Sequence, residues 1–343
     1  MFAHIASCHY SESCHQITTI VIIQCVMKKI IDGVLTSLVI ITLIVLAILF
    51  NPFTLSDNQK DTLLVLVIVC GASALYCFVV GEISRNNSQM DKLWSILPIA
   101  YAWIIAAKAG FNQRQVIYAI LVSFWGIRLT INFARKGAYS FKFWAGEEDY
   151  RWKILRAKKP LNNKFLWALF DLFFISIYQN VLVLAICLPS FASMDSVASI
   201  GLFDYIAFGG AILFLLLETI ADEQQMFFHT EKRRLLNEGK KLEELPSPYN
   251  LGFNTIGIWN YSRHPNYLGE QGFWIMLYFV TLGAGVVSNG FFSWSIIGPL
   301  LLVFIFLGSS NLQEGISAKK YPEYQAYVIK ISKYIPLVRY RKD

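Results

Sequence analysis

Apolar runs long enough to cross a bilayer, which takes about 20 residues, recur along the whole chain with short polar stretches between them. The pattern predicts eight spans, at roughly 34–50, 62–81, 93–110, 115–134, 165–188, 203–221, 267–287 and 291–309. Two longer polar stretches, 135–164 and 229–264, are mixed in charge and aromatic enough to fold against something. There is no internal repeat and no low-complexity linker. The expected fold is therefore all-α, a polytopic transmembrane helical bundle in one membrane domain.

Composition agrees with the pattern: 55% of the 343 residues are hydrophobic and only 15% are charged, more apolar surface than a soluble domain of this length needs. Charge placement then orients the chain. With the N-terminus in the cytoplasm, 26 of the 30 Lys and Arg fall on inside segments, Lys60, Lys108 and Arg114 fall on outside loops, and Arg128 lies within a span. This positive-inside bias predicts that both termini are cytoplasmic. It also accounts for the net charge of +7 without a nucleic-acid partner.

Residues 1–26 read as a mobile extension, because Met27-Lys28-Lys29 before the first apolar run looks like a second start with a basic flank. Residues 27–58 are expected to be an extra N-terminal span, and 59–343 the main membrane domain. Cys8, His9, Cys14 and His15 match no common zinc spacing, so no metal is expected. Cys70, Cys77 and Cys187 fall inside spans as small core residues rather than disulfide partners. No cleavable signal is evident.

Four polar constellations stand out against this apolar background. Glu218, Asp222, Gln225 and His229 form one stripe on a single helix at about 100° per residue. Carboxylates four apart repel unless a cation or hydrogen-bond donor lies between them. The stripe either faces a polar ligand or simply emerges into water. Arg263, His264, Asn266, Tyr267 and Glu270 surround Pro265, which suits the first turn of a helix, so the exposed amides there would attract an anion such as phosphate. An interface anchor of Arg, His and Tyr is the plainer alternative. Trp125, Arg128 and Asn132 lie near one end of the fourth span, where Arg128 needs a partner or must snorkel. Asp91, Trp94 and Pro98 open the third span, where Asp91 could equally cap a helix.

Several chemistries have no support in the sequence. No Gly-rich fingerprint links a strand to a helix, so a dinucleotide would not be held by a Rossmann domain. Only His229 and His264 lie beyond the N-terminal stretch, too few for the histidine clusters of di-iron membrane oxygenases. A Gly-x-Ser-x-Gly elbow is absent.

The run Gly257-Ile-Trp-Asn-Tyr-Ser-Arg-His-Pro-Asn-Tyr-Leu-Gly-Glu270 resembles the signature of the steroid 5-alpha-reductase superfamily in its bacterial, DUF1295-type branch. Gln89-Met-Asp-Lys-Leu-Trp94 resembles the Asp-x-x-Trp entry to an early span in that branch, and Trp125-Gly-Ile-Arg-Leu129 its Trp-Gly-x-Arg-Leu. Glu147-Glu-Asp-Tyr-Arg-Trp152, Glu218-x3-Asp222-x-Gln224 and Lys320-Tyr-Pro-Glu-Tyr-Gln-Ala-Tyr327 with Ile335-Pro336 continue the likeness, in order, over about residues 60–340.

The resemblance implies a seven-helix membrane reductase that holds NADPH between its last spans and inside loops, with the first span here as an addition. It implies that Arg128, Glu218, Asp222, Tyr261, Asn266, Tyr267 and Glu270 line the cofactor pocket, and that Arg263 and His264 approach phosphates. The reaction would be hydride transfer to the β-carbon of a C=C bond conjugated to a carbonyl, in an apolar, steroid-like or lipid substrate taken from the bilayer by a monomer. An acid aimed at the carbonyl oxygen lowers that barrier, and Asp91 or Tyr101 is the candidate. Animal steroid reductases use a tyrosine and a carboxylate; Asp91 occupies roughly the carboxylate's region, but Trp125 stands near the tyrosine's place. Two alternatives stay open. Isoprenylcysteine and phospholipid methyltransferases share a related Arg-His-Pro-x-Tyr run and a carboxylate in the last helix, here Glu314, and use S-adenosylmethionine. A non-enzymatic sterol-binding protein could keep the same fold.

Overall fold

The computed structural model describes residues 54–287 and 290–337, and among them the chain is helical with no β-strand. The expected extension at 1–26, its Cys and His residues and the first span at 34–50 lie outside the described residues. Helix α1 (Asp57–Ser84) starts at a capping box in which the Ser56 hydroxyl accepts from the Gln59 amide and the Gln59 side chain accepts from the Ser56 amide. Short α2 (Gln89–Leu93) leads into α3 (Ile96–Lys108) and α4 (Gln113–Arg135), the last capped by Asn112. α5 (Tyr150–Arg156) lies in the following polar stretch. The next apolar stretch is not one regular helix: α6 (Lys164–Phe170) passes through a π-helical turn, Asp171–Tyr178, into α7 (Gln179–Ala185) and α8 (Leu188–Ser193). Then come α9 (Leu202–Asn237), α10 (Pro265–Tyr278), short α11 (Val280–Gly283), α12 (Ile297–Lys320) and α13 (Tyr324–Lys330).

Among the described residues, five helical stretches are long and apolar enough to cross a membrane: Asp57–Ser84, Gln113–Arg135, Lys164–Ser193, Leu202–Asn237 and Trp294–Lys320. Ile96–Lys108 is a shorter apolar helix. The molecule is a helical membrane bundle, and apolar segments of the sequence map onto its helices. Their ends differ from the hydropathy pattern, because a helix does not stop where its side chains become polar. α9 continues to Asn237 rather than ending near 221, so Asp222, Gln225 and His229 stay on one helix with Glu218. α12 runs on to Lys320 rather than 309 and carries Glu314. α10 stops at Tyr278, well short of 287.

Helices in lipid gain little from hydrophobic association, so close backbone approach supplies much of the attraction between them. Gly269 places α10 against α9 so tightly that a Cβ there would lie 2.5 Å from the Cβ of Glu218. At Gly126 of α4 a Cβ would lie 2.4 Å from the carbonyl of Ser95, ahead of α3. Both contacts bear on the polar cluster described below. The three cysteines Cys70, Cys77 and Cys187 are free and buried, as expected of core residues.

Arg114, read from sequence as an outside-loop cation, is instead a buried residue of the first turn of α4. Its Nε lies 2.7 Å from Oδ1 of Asp204, and the pair is 3% and 0% exposed. The remaining guanidinium donors reach the carbonyls of Ala198, Ser199 and Gly283, so the group ties α4 and α9 to the loop before α9 and to the end of α11. Loss of one partner would strand a buried charge, a change that costs about 3–5 kcal/mol. Asp204→Ala should therefore lower the thermal unfolding midpoint of the detergent-solubilised protein sharply, whereas Asp57→Ala in the exposed pair with Lys60 should leave it nearly unchanged.

Candidate functional site

Glu218 and Asp222 sit one turn apart on α9, and the cation their repulsion demands is Arg128 of α4. Its Nη1 donates to Oδ2 of Asp222 at 2.5 Å and its Nη2 to Oε1 of Glu218. Asp222 also accepts from Asn132 at 3.0 Å and from Asn266 at 3.1 Å. Pro265 takes the first position of α10, which puts Asn266 in its opening turn and Glu270 one turn further along the same face. Glu270 accepts from the indole of Trp94 at 3.1 Å and lies within electrostatic reach of Arg128 and Asp222. Residues from four separate stretches of sequence thus form one buried polar cluster.

Three polar atoms in this cluster have no protein partner, Oε2 of Glu218, Nε of Arg128 and Oδ1 of Asn266, and the same is true of Nε1 of Trp125, three residues before Arg128 on α4. The Asn266 orientation is fixed chemically, because its nitrogen faces Asp222, which can only accept. Trp125 stacks on Phe273 at 6.1 Å and meets Trp274 edge-on at 5.0 Å, so its indole N–H is oriented by packing alone. A buried donor or acceptor without a partner costs about 1–3 kcal/mol. Both donors and acceptors stand free in one place, and that combination suits a ligand carrying hydroxyl, amide and carbonyl groups.

Asp91 lies in a neighbouring group. It accepts from the Trp152 indole at 2.7 Å, and Arg151 stands 3.6 Å away. Arg151 is held more closely by Asp149, at 2.7 Å, and also reaches Ser309. Burial raises the Asp91 pKa and outweighs the opposing charge of Arg151. Burial also acts to raise Asp149, but the charge and direct hydrogen bonds of Arg151 overcome it, so that carboxyl is lowered. Of the two acids beside Arg151, Asp91 is the one whose pKa stands above the usual carboxylate value, so it takes up a proton before Asp149 as pH falls. The Tyr267 hydroxyl contacts Ser309 at 3.4 Å and receives a hydrogen bond from Gln313. Tyr101 of α3 is fully buried, and the partner beside its hydroxyl is the thiol of Cys70. Tyr261 is 38% exposed on the loop before α10, and its side chain joins neither group through a hydrogen bond.

Arg263 and His264 point elsewhere than the Arg128 cluster. Nε of Arg263 donates to Oε1 of Glu314 at 2.8 Å, and its Nη1 donates to the carbonyls of Val328 and Ile331. Nε2 of His264 lies 3.0 Å from the same Glu314 oxygen and must carry the proton there, since a carboxylate only accepts. The backbone amides of Arg263 and His264 donate to Ser332 and Lys333. These bonds strap the segment after α13 to the start of α10. The motif residues Gly257, Trp259 and Gln224 are also explained by docking: Gln224 accepts from the Ile258 amide at 3.0 Å and Trp259 donates to the Ala221 carbonyl at 2.9 Å. Gly257, at φ 61, lets the loop turn where a side chain would strike Gln224. The bonds of Trp94 and the roles of Ser309 and Gln313 left no signal in the sequence, because only the packing of α10 and α12 brings them to the site.

A helical membrane bundle with a buried ion cluster shared by three of its helices defines a class of site, and the sequence comparisons place the chain in a family. It belongs to the DUF1295 family, described as a protein family of unknown function, whose pattern matches residues 77–331. It is 34% identical to an uncharacterized protein of Schizosaccharomyces pombe over 280 residues, covering 76% of this chain and 78% of that protein. No solved structure matches the chain.

The His264 contact predicts a pH effect. Burial lowers the His264 pKa in spite of Glu314, so folding favours the neutral imidazole. A lowered histidine contributes stability present above its unfolded pKa of about 6.5 and lost as pH falls through that value. Limited proteolysis should cut the segment following α13 faster at pH 5.5 than at pH 7.5. The His264→Gln variant should show a smaller difference between the two.

Proposed function

We propose that the chain is an integral membrane reductase of the steroid 5-alpha-reductase superfamily, using NADPH to saturate a C=C bond conjugated to a carbonyl in an apolar substrate. The observation that carries this reading is the set of unpartnered polar atoms around Arg128, buried in an apolar bundle. They fit the cofactor: Glu218 Oε2 and Asn266 Oδ1 can accept from ribose hydroxyls or a carboxamide, and the Trp125 indole can donate to a carboxamide oxygen. When bound, NADPH supplies the hydride. Asp222 is already filled by Arg128, Asn132 and Asn266, so its part is to hold those three in place.

The acid that meets the developing carbonyl oxyanion is Asp91, whose pKa burial raises, or Tyr101, a phenol that needs no pKa shift to donate. Phosphate contacts by Arg263 or His264 compete with Glu314 for the same donors. The charge bias along the sequence supports a cytoplasmic location for both termini and for the phosphate end of the site. Every residue invoked comes from one chain, so a monomer suffices, and the substrate reaches it from the bilayer.

A second reading is a membrane methyltransferase using S-adenosylmethionine. One contact favours it: Arg263, His264 and the last-helix carboxylate Glu314, which such enzymes share, meet in one cluster.

On the reductase reading, purified protein with NADPH converts an enone such as a 3-oxo-4-ene steroid to the saturated ketone, identified by product mass. Methylation of a lipid acceptor from S-adenosylmethionine, with every steroid and linear enone inert, would replace it with the second reading. NADPH should also raise the unfolding temperature more than NADH does, and equal stabilisation by the two would exclude recognition of the 2'-phosphate. Asn266→Ala and Glu270→Ala should each weaken NADPH binding by about 5- to 150-fold, the loss of one polar contact, while membrane insertion stays intact. Normal binding by the double variant would place the pocket elsewhere.

A further inference from the structure

Arg151 stands between two carboxyls and is held almost wholly by one of them. Its Nε donates to Oδ1 of Asp149 at 2.7 Å and its Nη2 to Oδ2 of the same side chain at 3.2 Å, the two-pronged arrangement in which a guanidinium pairs most strongly with a carboxylate. Nη1 goes to the Ser309 hydroxyl at 3.2 Å. Asp91 is left with the same Nη2 at 3.6 Å, beyond a normal hydrogen bond. The donors on Asp91 itself, the Trp152 indole at 2.7 Å and the Ser88 hydroxyl, are neutral. The backbone fixes this arrangement: Asp149 caps α5 by accepting from the Arg151 amide at 2.9 Å, while its own amide donates to Ser88 at 2.9 Å. Asp91 is 13% exposed and Asp149 17%, so water screens their competition for the cation little.

Other titratable groups face the three. Lys92, Cys77 of α1 and Tyr139 lie within electrostatic reach of Asp91, Lys136 within reach of Asp149, and Tyr150 and Tyr267 within reach of Arg151. Ammoniums, thiols and phenols ordinarily titrate above about pH 8. Where a carboxyl exchanges its proton, the contest for Arg151 is therefore between Asp91 and Asp149.

We infer that Asp149 is a positioning residue: by holding the guanidinium of Arg151 to itself, it keeps that cation from docking on Asp91 and so preserves the proton-bearing form of Asp91. The consequence for catalysis rests on the reading of Asp91 as the acid of the reductase. That acid gives its proton to the oxygen that hydride addition leaves negative and takes another from water afterwards, so only its protonated form works. The two proton affinities agree with the geometry: burial lifts the Asp91 pKa, and on Asp149 burial acts the same way but Arg151 overcomes it.

Asp149→Asn tests the inference, because asparagine still caps a helix while the charge that engages Arg151 is gone. Carboxyl protonation can be read without turnover, from infrared spectra of the full chain in lipid nanodiscs. The carbonyl stretch of a protonated carboxyl that disappears in Asp91→Asn belongs to Asp91, and its loss with rising pH gives the titration. In Asp149→Asn that titration should move at least about one pH unit lower, the effect of an arginine newly paired with an aspartate. In Arg151→Gln, where no guanidinium remains, it should move higher. At a fixed pH above the titration, Asp149→Asn then has about ten-fold less protonated Asp91, and the alkaline limb of kcat/KM for enone reduction should move down with it. An Asp91 titration in Asp149→Asn that stays in place or moves higher overturns the inference, whatever the protein does with an enone. A titration that moves as stated, in a protein that reduces no enone, upholds the control of Asp91 by Asp149 and removes the reductase reading instead. If Asp149→Asn does not fold, Arg151→Gln decides, and an Asp91 titration unmoved there overturns the inference.

Discussion

The structure turns on placing charge inside an apolar bundle. A guanidinium or carboxylate taken out of water loses several kcal/mol of solvation and keeps its place only when neighbours return most of it. Arg128 therefore does more than join α4 to α9. It makes it possible for Glu218 and Asp222 to occupy successive turns of one helix at all. Asp222 in turn holds Asn132 and Asn266, so the start of α10 is positioned by the same carboxylate.

Close packing and electrostatics act together at this point. Gly269 brings α10 to the backbone of Glu218, leaving no room for a side chain between them. That contact puts Glu270, the next residue, beside the carboxylates of α9 rather than a helix diameter away. A larger residue at 269 would separate the helices and the charges at once. At the opposite end of α9, Arg114 and Asp204 form a second buried pair with every guanidinium nitrogen used. The contrast between the two arginines is informative: Arg114 is fully partnered and structural, whereas Arg128 and its carboxylates keep free atoms in a place water does not readily reach.

The strap formed by Arg263, His264 and Glu314 gives the motif around Pro265 a structural role beside any ligand role. Their side chains and backbone amides secure the segment after α13, while Asn266 and Glu270, only a few residues on, face the Arg128 cluster. One short run of sequence thus serves two neighbouring groups, and the helix start at Pro265 is what turns its residues in different directions.

The membrane bundle was legible in the sequence because lipid imposes a length and an apolar composition on each span, and both are local properties. The stripe of Glu218 and Asp222, the helix start at Pro265 and the need of Arg128 for a partner were legible for the same reason: helical periodicity and the cost of burial act within a few residues. Helix ends were legible only in part: the stripe put residues 218–229 on one helix, but the continuation of α9 to Asn237 and of α12 to Lys320 left no local signal. Nor did the sequence decide which carboxylates Arg128 would meet, that Trp94 would bond Glu270, or that Arg114 would be buried. Those pairings join residues about 90 to 176 positions apart, and only the tertiary packing of the helices brings such distant groups within hydrogen-bonding range.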